Sequence, residues 1–188
     1  MNTKPEMDQR RSLRLKGYDY AQPGAYFITI CTHQRQCLFG EIGGTGLAHT
    51  QMRLNELGEI VREKWFRTAA LRANVQLFDN EFVVMPNHVH GIIWITDTNN
   101  VGAYCNTPLR DAKSFQSPSK TIGAIIRGFK SDVTKRINIH RGTPYRPVWQ
   151  RNYYERIIRD EEEYDQIAAY IISNPDNWEM DQENTGEL

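Results

Sequence analysis

The stretch Met85-Pro86-Asn87-His88-Val89-His90-Gly91-Ile92-Ile93-Trp94-Ile95 places two histidines, one apolar residue apart, at the head of a nearly unbroken apolar run. Such a run reads as a strand from His88 to Ile95, lying centrally in a sheet. Alternation along the strand sends His88 and His90 to one face and Val89 to the other, with the two histidines about 7 Å apart at the backbone. Two imidazoles so placed suit a shared metal ion. They suit equally a pair of buried histidines satisfied by hydrogen bonds, and the stretch alone leaves both readings open.

Upstream, Tyr26 to Thr32 is rich in β-branched and aromatic residues and follows the turn-forming Pro23-Gly24, which predicts a first strand; a short second strand is expected over Cys37 to Ile42. Leu54, Leu57, Ile60, Val61 and Trp65 recur at helical spacing and predict an amphipathic helix from Arg53 to about Leu71. Val75 to Phe78 and Phe82 to Met85 read as extended. Downstream, Thr96 to Lys120 is polar and proline-bearing, the composition of a long mobile insertion. Ile122, Ile125, Ile126, Phe129, Val133 and Ile137 predict a helix over Thr121 to Asn138, whereas Trp149 to Ile158 fits either strand or irregular backbone. This order of elements fits a single α+β domain with an antiparallel sheet and packed helices, and a ferredoxin-like arrangement is the specific expectation.

With 188 residues and 39% hydrophobic content the chain suits one soluble domain with a sizeable core. No apolar run approaches the roughly 18 residues a membrane span needs, and Met1 to Arg14 lacks a signal-peptide core, so a cytoplasmic location without membrane contact is expected. Cys31, Cys37 and Cys105 form no CxxC pair and read as reduced structural cysteines.

The net charge of zero hides a segregation. Arg110 to Arg159 carries twelve Lys/Arg against three Asp/Glu, a balance of +9, and Asp160 to Leu188 carries ten Asp/Glu and no Lys/Arg, a balance of −10. Either cluster can be ordinary solvated surface. The basic segment, interleaved with Phe129, Tyr145, Trp149, Tyr153 and Tyr154, also suits phosphate contact and base stacking. The domain plan is a basic N-terminal arm over 1–24, a folded unit over 25–178 with the insertion at about 96–120, and a loose acidic tail over 179–188, its loosening expected from Asp176 onward.

A last helix begins at Asp160, with Glu163 as capping partner, and ends at Asn174-Pro175. Tyr164, Ile167, Ala168, Ile171 and Ile172 form its apolar face, and Tyr170 and Asn174, four residues apart, project side by side at the edge. Alone they read as a boundary tyrosine and a helix-terminating asparagine. Paired with the histidines they have a chemical logic. A divalent cation near a phenol favours phenolate and neutralises a phosphodiester, and Asn174 adds a neutral oxygen ligand, a set suited to Mg²⁺ or Mn²⁺.

Three motifs in order, RRSLRLKGYDY…GAYFITICT, MPNHVHGII and WQRNYYERIIRDEEEYDQIAAYIISNPDNW, resemble the REP-associated tyrosine transposases, relatives of the single-strand insertion-sequence transposases of the HUH class, from about Arg10 to Trp178. The resemblance implies an HUH endonuclease palm of ferredoxin-like fold and cleavage and rejoining of single-stranded, hairpin-forming repetitive palindromic DNA, that is, DNA transposition. His88 and His90 match the metal pair, Tyr170 the nucleophile that forms a 5′-phosphotyrosine link, and Asn174 the third ligand of a Mg²⁺ or Mn²⁺ ion. Tyr153 and Tyr154 precede the helix and are assigned to structure or DNA contact. Arg10, Arg11, Arg14 and Lys16, with Arg127, Lys130 and Lys135, are the DNA-contact candidates, each balanced against plain surface charge. Members of this group are expected to act as monomers; a homodimer with swapped helices is the alternative. A non-catalytic DNA or RNA hairpin-binding module competes with the enzyme reading. A small-nucleotide hydrolase of the histidine-triad kind ranks below both, since Ile92 stands where that pattern needs histidine.

Overall fold

The computed structural model describes residues 19–43, 50–97 and 121–184. In chain order its elements are β1 (Gly24–Cys31), β2 (Gly40–Gly43), β3 (Gln51–Leu54), α1 (Glu56–Ala70), β4 (Val75–Gln76), β5 (Phe82–Val84), β6 (His88–Ile95), α2 (Ile122–Arg141), β7 (Tyr154–Ile158) and α3 (Glu161–Ser173). The strand that carries both histidines is central. β6 pairs antiparallel with β1 on one side and with the short β4 and β5 on the other, and β7 closes the far edge against β1. Every pair is antiparallel, the sheet order is that of a ferredoxin-like unit, and β2 and β3 form a separate two-stranded ribbon.

The two faces of β6 meet different partners. Val89, Ile93 and Ile95, with Tyr26, Ile28 and Ile30 of β1, pack under α1 and α2 in one apolar core. Gly91 belongs to this face for a steric reason, because a Cβ there would stand 2.6 Å from the Trp65 ring and 2.9 Å from Phe82. Those rings stack 4.5 Å apart directly on the strand. On the other face Ile92, Ala25 and Phe27 meet Ile167 and Ile171 of α3. Among the described residues, no helix is long and apolar enough to cross a membrane.

Local sequence explains where the elements start and stop. α1 begins at Glu56 rather than Arg53, because Asn55 caps it by accepting from the backbone N–H groups of Leu57 (2.9 Å) and Gly58 (3.0 Å), and Gln51–Leu54 pairs as β3. The second strand is correspondingly Gly40–Gly43, shorter than and displaced from Cys37 to Ile42. α2 runs three residues past Asn138 and stops at Gly142, whose φ of +62° is the left-handed conformation of a helix end. At α3, Asp160 accepts from Glu163 N–H (2.8 Å) and the Glu163 carboxylate accepts from Arg159 N–H (2.8 Å). Only Tyr154–Ile158 of the undecided aromatic segment is strand.

The acidic tail departs from expectation most. A 3₁₀ turn at Trp178–Met180 reverses the chain, so that residues 181–183 return to the sheet instead of trailing into solvent. Of the insertion only Thr96 and Asp97 fall among the described residues; Arg10, Arg11, Arg14, Lys16, Cys105 and 185–188 lie outside them.

Candidate metal and nucleophile site

Strand alternation aims His88 and His90 at α3, with their ring centroids 4.4 Å apart and both side chains almost wholly buried. Each ring is held by its inward nitrogen. His90 Nδ1 lies 2.8 Å from Thr29 Oγ1 on β1. His88 Nδ1 lies 2.8 Å from Asn87 Oδ1, and Asn87 Nδ2 donates to the Glu183 carbonyl (2.8 Å), which fixes the amide's orientation. An amide oxygen only accepts, so Nδ1 of His88 carries the proton and its Nε2 presents a lone pair. That Nε2 is buried with no hydrogen-bond partner among the described residues. Such a held tautomer is the arrangement found behind metal-binding histidines.

α3 delivers the rest. Tyr170 Oη lies within hydrogen-bond distance of His90 Nε2, at 3.2 Å, and the residue remains 42% exposed. Phe27 borders both rings, stacked on His90 (5.4 Å) and edge-on to Tyr170 (6.2 Å). Asn174, one turn on, is fully buried, and its Oδ1 is a second polar atom without a hydrogen-bond partner among the described residues. Its Nδ2 donates to Asp181 Oδ2 (3.0 Å), and that carboxylate stands 3.9 Å from His88 Nε2 with its side chain 2% exposed. Ligand atoms of His88, His90 and Asp181 lie within 4.8 Å of one another. Two imidazole nitrogens, one carboxylate and an orphaned amide oxygen fit a divalent cation.

Charge and burial agree with that fit. Burial lowers His88 to about 4 despite the opposing field of Asp181, and burial, with His88 beside it, holds His90 well below the ordinary histidine value. Both rings are therefore neutral at pH 7, the form that ligates. Burial and then the charge of Asp181 push the Tyr170 phenol up to about 12, so the phenol is protonated without a cation nearby.

Asp181 was not expected from the sequence, nor was the strap around it. Glu183 accepts from Arg35 (2.8 Å) and from the Cys31 thiol (3.1 Å), and Glu183 N–H donates to Asp181 (2.6 Å). Trp178 stacks on His88 at 6.0 Å. The described DNA-contact candidates lie elsewhere. Arg127 and Lys135 are exposed on α2, the layer on the opposite face from the histidines. Lys130 is engaged by main chain, its ammonium donating to the carbonyls of Gln150 (2.6 Å), Arg151 (3.1 Å) and Asn152 (3.3 Å). Tyr153 donates to Glu155 (2.9 Å), and Tyr154 stands edge-on to Phe27.

No family model matches the chain. A Haemophilus influenzae protein of uncharacterised function is 46% identical over 177 residues, spanning 92% of each chain. The chain belongs to that protein's family. Among solved structures, a REP-associated tyrosine transposase bound to a REP hairpin matches with a TM-score of 0.51 and 18% identity, over 88% of this chain and 74% of the other. This is the fold of a REP-associated tyrosine transposase.

Proposed function

We propose that this protein is a metal-dependent endonuclease and strand transferase of the REP-associated tyrosine transposase kind, acting on single-stranded hairpin-forming DNA. The observation that carries the reading is Tyr170 in hydrogen-bond contact with His90 beside three buried donor groups, His88, Asp181 and Asn174, two of them holding polar atoms without a partner among the described residues. His88, His90 and Asp181, with Asn174 Oδ1 beside them, would hold a Mg²⁺ or Mn²⁺ ion. Such an ion would supply positive charge that favours phenolate and neutralises a phosphodiester. Tyr170 Oη attacks phosphorus, the Oη–P bond forms and the P–O3′ bond breaks. The phenol proton passes to solvent, the departing 3′ oxygen takes one from solvent, and the 5′ end stays on tyrosine as a phosphodiester. Reversal by a free 3′-hydroxyl rejoins a strand without ATP. Tyr170 meeting the histidines of its own chain supports action as a monomer.

Incubation with Mn²⁺ and an end-labelled single-stranded hairpin, followed by a denaturing gel, tests this. Wild type gives a covalent protein–DNA band that needs metal, and Tyr170→Phe gives none while its hairpin affinity stays within about twofold. A band that persists in Tyr170→Phe, or in exhaustively chelated wild type, overturns the assignment. Hairpin binding without any band moves the reading to a non-catalytic hairpin-binding module.

A further inference from the structure

α3 carries Tyr170, yet little apolar surface holds it to the sheet. Ile167 and Ile171 are its buried apolar residues, resting on Ala25, Phe27 and Ile92. Contacts of that kind resist withdrawal of the helix without favouring one rotation about its axis, because apolar attraction has no direction. The phenol is sensitive to that rotation. Its oxygen stands roughly 8 Å from the helix axis, so a turn of about 10° would carry it through about 1.4 Å. A displacement of about 1 Å can lower a rate on the order of 100-fold where reacting atoms must be aligned.

The constraint on rotation lies at the opposite end of the helix from Asn174, in a buried carboxylate outside the donor set. Glu81 closes the 3₁₀ turn Asp79–Glu81 ahead of β5 and is 3% exposed. One of its oxygens accepts from Trp94 Nε1 on β6 and the other from the Tyr164 hydroxyl on α3, each at 2.7 Å. The two donor rings lie 5.7 Å apart. The turn is itself tied to the rear layer, its Asp79 accepting from Arg62 of α1 (2.6 Å). Glu81 therefore stands between the strand that carries the histidines and the helix that carries the tyrosine, with a directed bond to each. Hydrogen bonds weaken steeply with misalignment, so this pair fixes the rotation that the apolar contacts leave open. The bond to Glu81, followed by burial, pushes the Tyr164 phenol up to about 12, and it remains a donor throughout the neutral range. We propose that Glu81 is a positioning residue for strand cleavage: by accepting from Trp94 and Tyr164 together it sets the rotation of α3, and with it the place of Tyr170 Oη beside His90. The proposal rests on the cleavage reading above; Glu81 acts through Tyr164 and takes no part in the bond changes.

The test uses the full chain with Mn²⁺ and a saturating end-labelled single-stranded hairpin, far enough below the lowest Tm that every variant is folded. Tyr164→Phe deletes the α3 donor and leaves the Trp94 bond in place. Its single-turnover rate of adduct formation falls about tenfold, while hairpin affinity in EDTA stays within about twofold of wild type. Ile167→Val weakens the same helix through packing alone and keeps the rate within about twofold. Glu81→Gln, whose amide has one acceptor oxygen for two donors, is also slow; combined with Tyr164→Phe it is no slower than the slower single variant, as expected for two ends of one bond. Without metal, 3-fluorotyrosine at position 170 in EDTA gives the same fluorine resonance in wild type and Ile167→Val, and a displaced or broadened one in Tyr164→Phe. A wild-type rate in Tyr164→Phe, an equal loss in Ile167→Val, matching losses of rate and hairpin affinity, additive losses in the double variant, or an unmoved fluorine resonance each overturns the positioning role and leaves the cleavage reading standing. Wild type that forms no adduct overturns the cleavage reading and the positioning role together.

Discussion

Behind β6, twenty-one buried residues from the sheet, α1, α2 and the flanking segments form one continuous apolar layer; in front of it, five buried apolar residues hold α3. The rear face derives its stability from area, and the front face makes up for its small area with directed polar contacts. The buried carboxylate of Glu81 shows how. One oxygen accepts from Trp94 Nε1 on β6 and the other from Tyr164 on α3, both at 2.7 Å, while Arg156 pairs with Glu163 at the start of the same helix. A face organised by hydrogen bonds can hold neutral histidines and an orphaned amide oxygen in place, which close apolar packing would instead squeeze out.

Truncation at the rear should have the largest effect on stability. Trp65→Ala removes the ring that lies over Gly91 and should lower unfolding free energy by about 3–5 kcal/mol in denaturant titration; a loss below about 1 kcal/mol would mean that the rear layer is not what holds the fold. Glu81→Ala leaves the Trp94 and Tyr164 donors without their acceptor and should be smaller, about 2 kcal/mol. Hydrogen exchange should show that loss concentrated in α3, and uniform loss across α1 and α2 would contradict the division between the faces.

Acid should act through the front face. His88 takes up a proton only near about 4, whereas an unfolded histidine does so near 6.5, so between these values the unfolded state binds more protons and stability falls as pH is lowered. On the order of 1–2 kcal/mol should be lost from pH 6.5 to 5, beyond the loss of a His88→Gln, His90→Gln variant in parallel denaturant melts. Equal losses would show that the histidines are not the titrating groups. Tyr170→Phe should change stability least, within about 0.5 kcal/mol, because the phenol is half exposed, while abolishing the adduct.

The residues that were legible in the sequence are those whose neighbours are set by a local period. His88 and His90 share a face because strands alternate, and Tyr170 lies beside Asn174 because four residues make about one helical turn. Their convergence follows from the packing of α3 on β6, which the two apolar patterns anticipate. Asp181 was illegible because it lies seven residues beyond Asn174, past Pro175, and its position depends on the Trp178–Met180 turn and on Glu183 meeting Arg35 and Asn87. An acidic stretch without periodicity looks the same whether it is solvated or docked. Lys130 likewise reads as a surface cation until the 150–152 carbonyls close over it.

The strap has a consequence for timing. A chain growing from its N-terminus presents both histidines, then Tyr170, then Asn174, and only afterwards the carboxylate that completes the cluster. Every strand of the sheet and all of α3 therefore precede, in order of synthesis, the anionic member of the donor set. The cluster is complete only when residues 181–183 have been released and Glu183 has closed against Asn87, so the folded sheet precedes its last donor group.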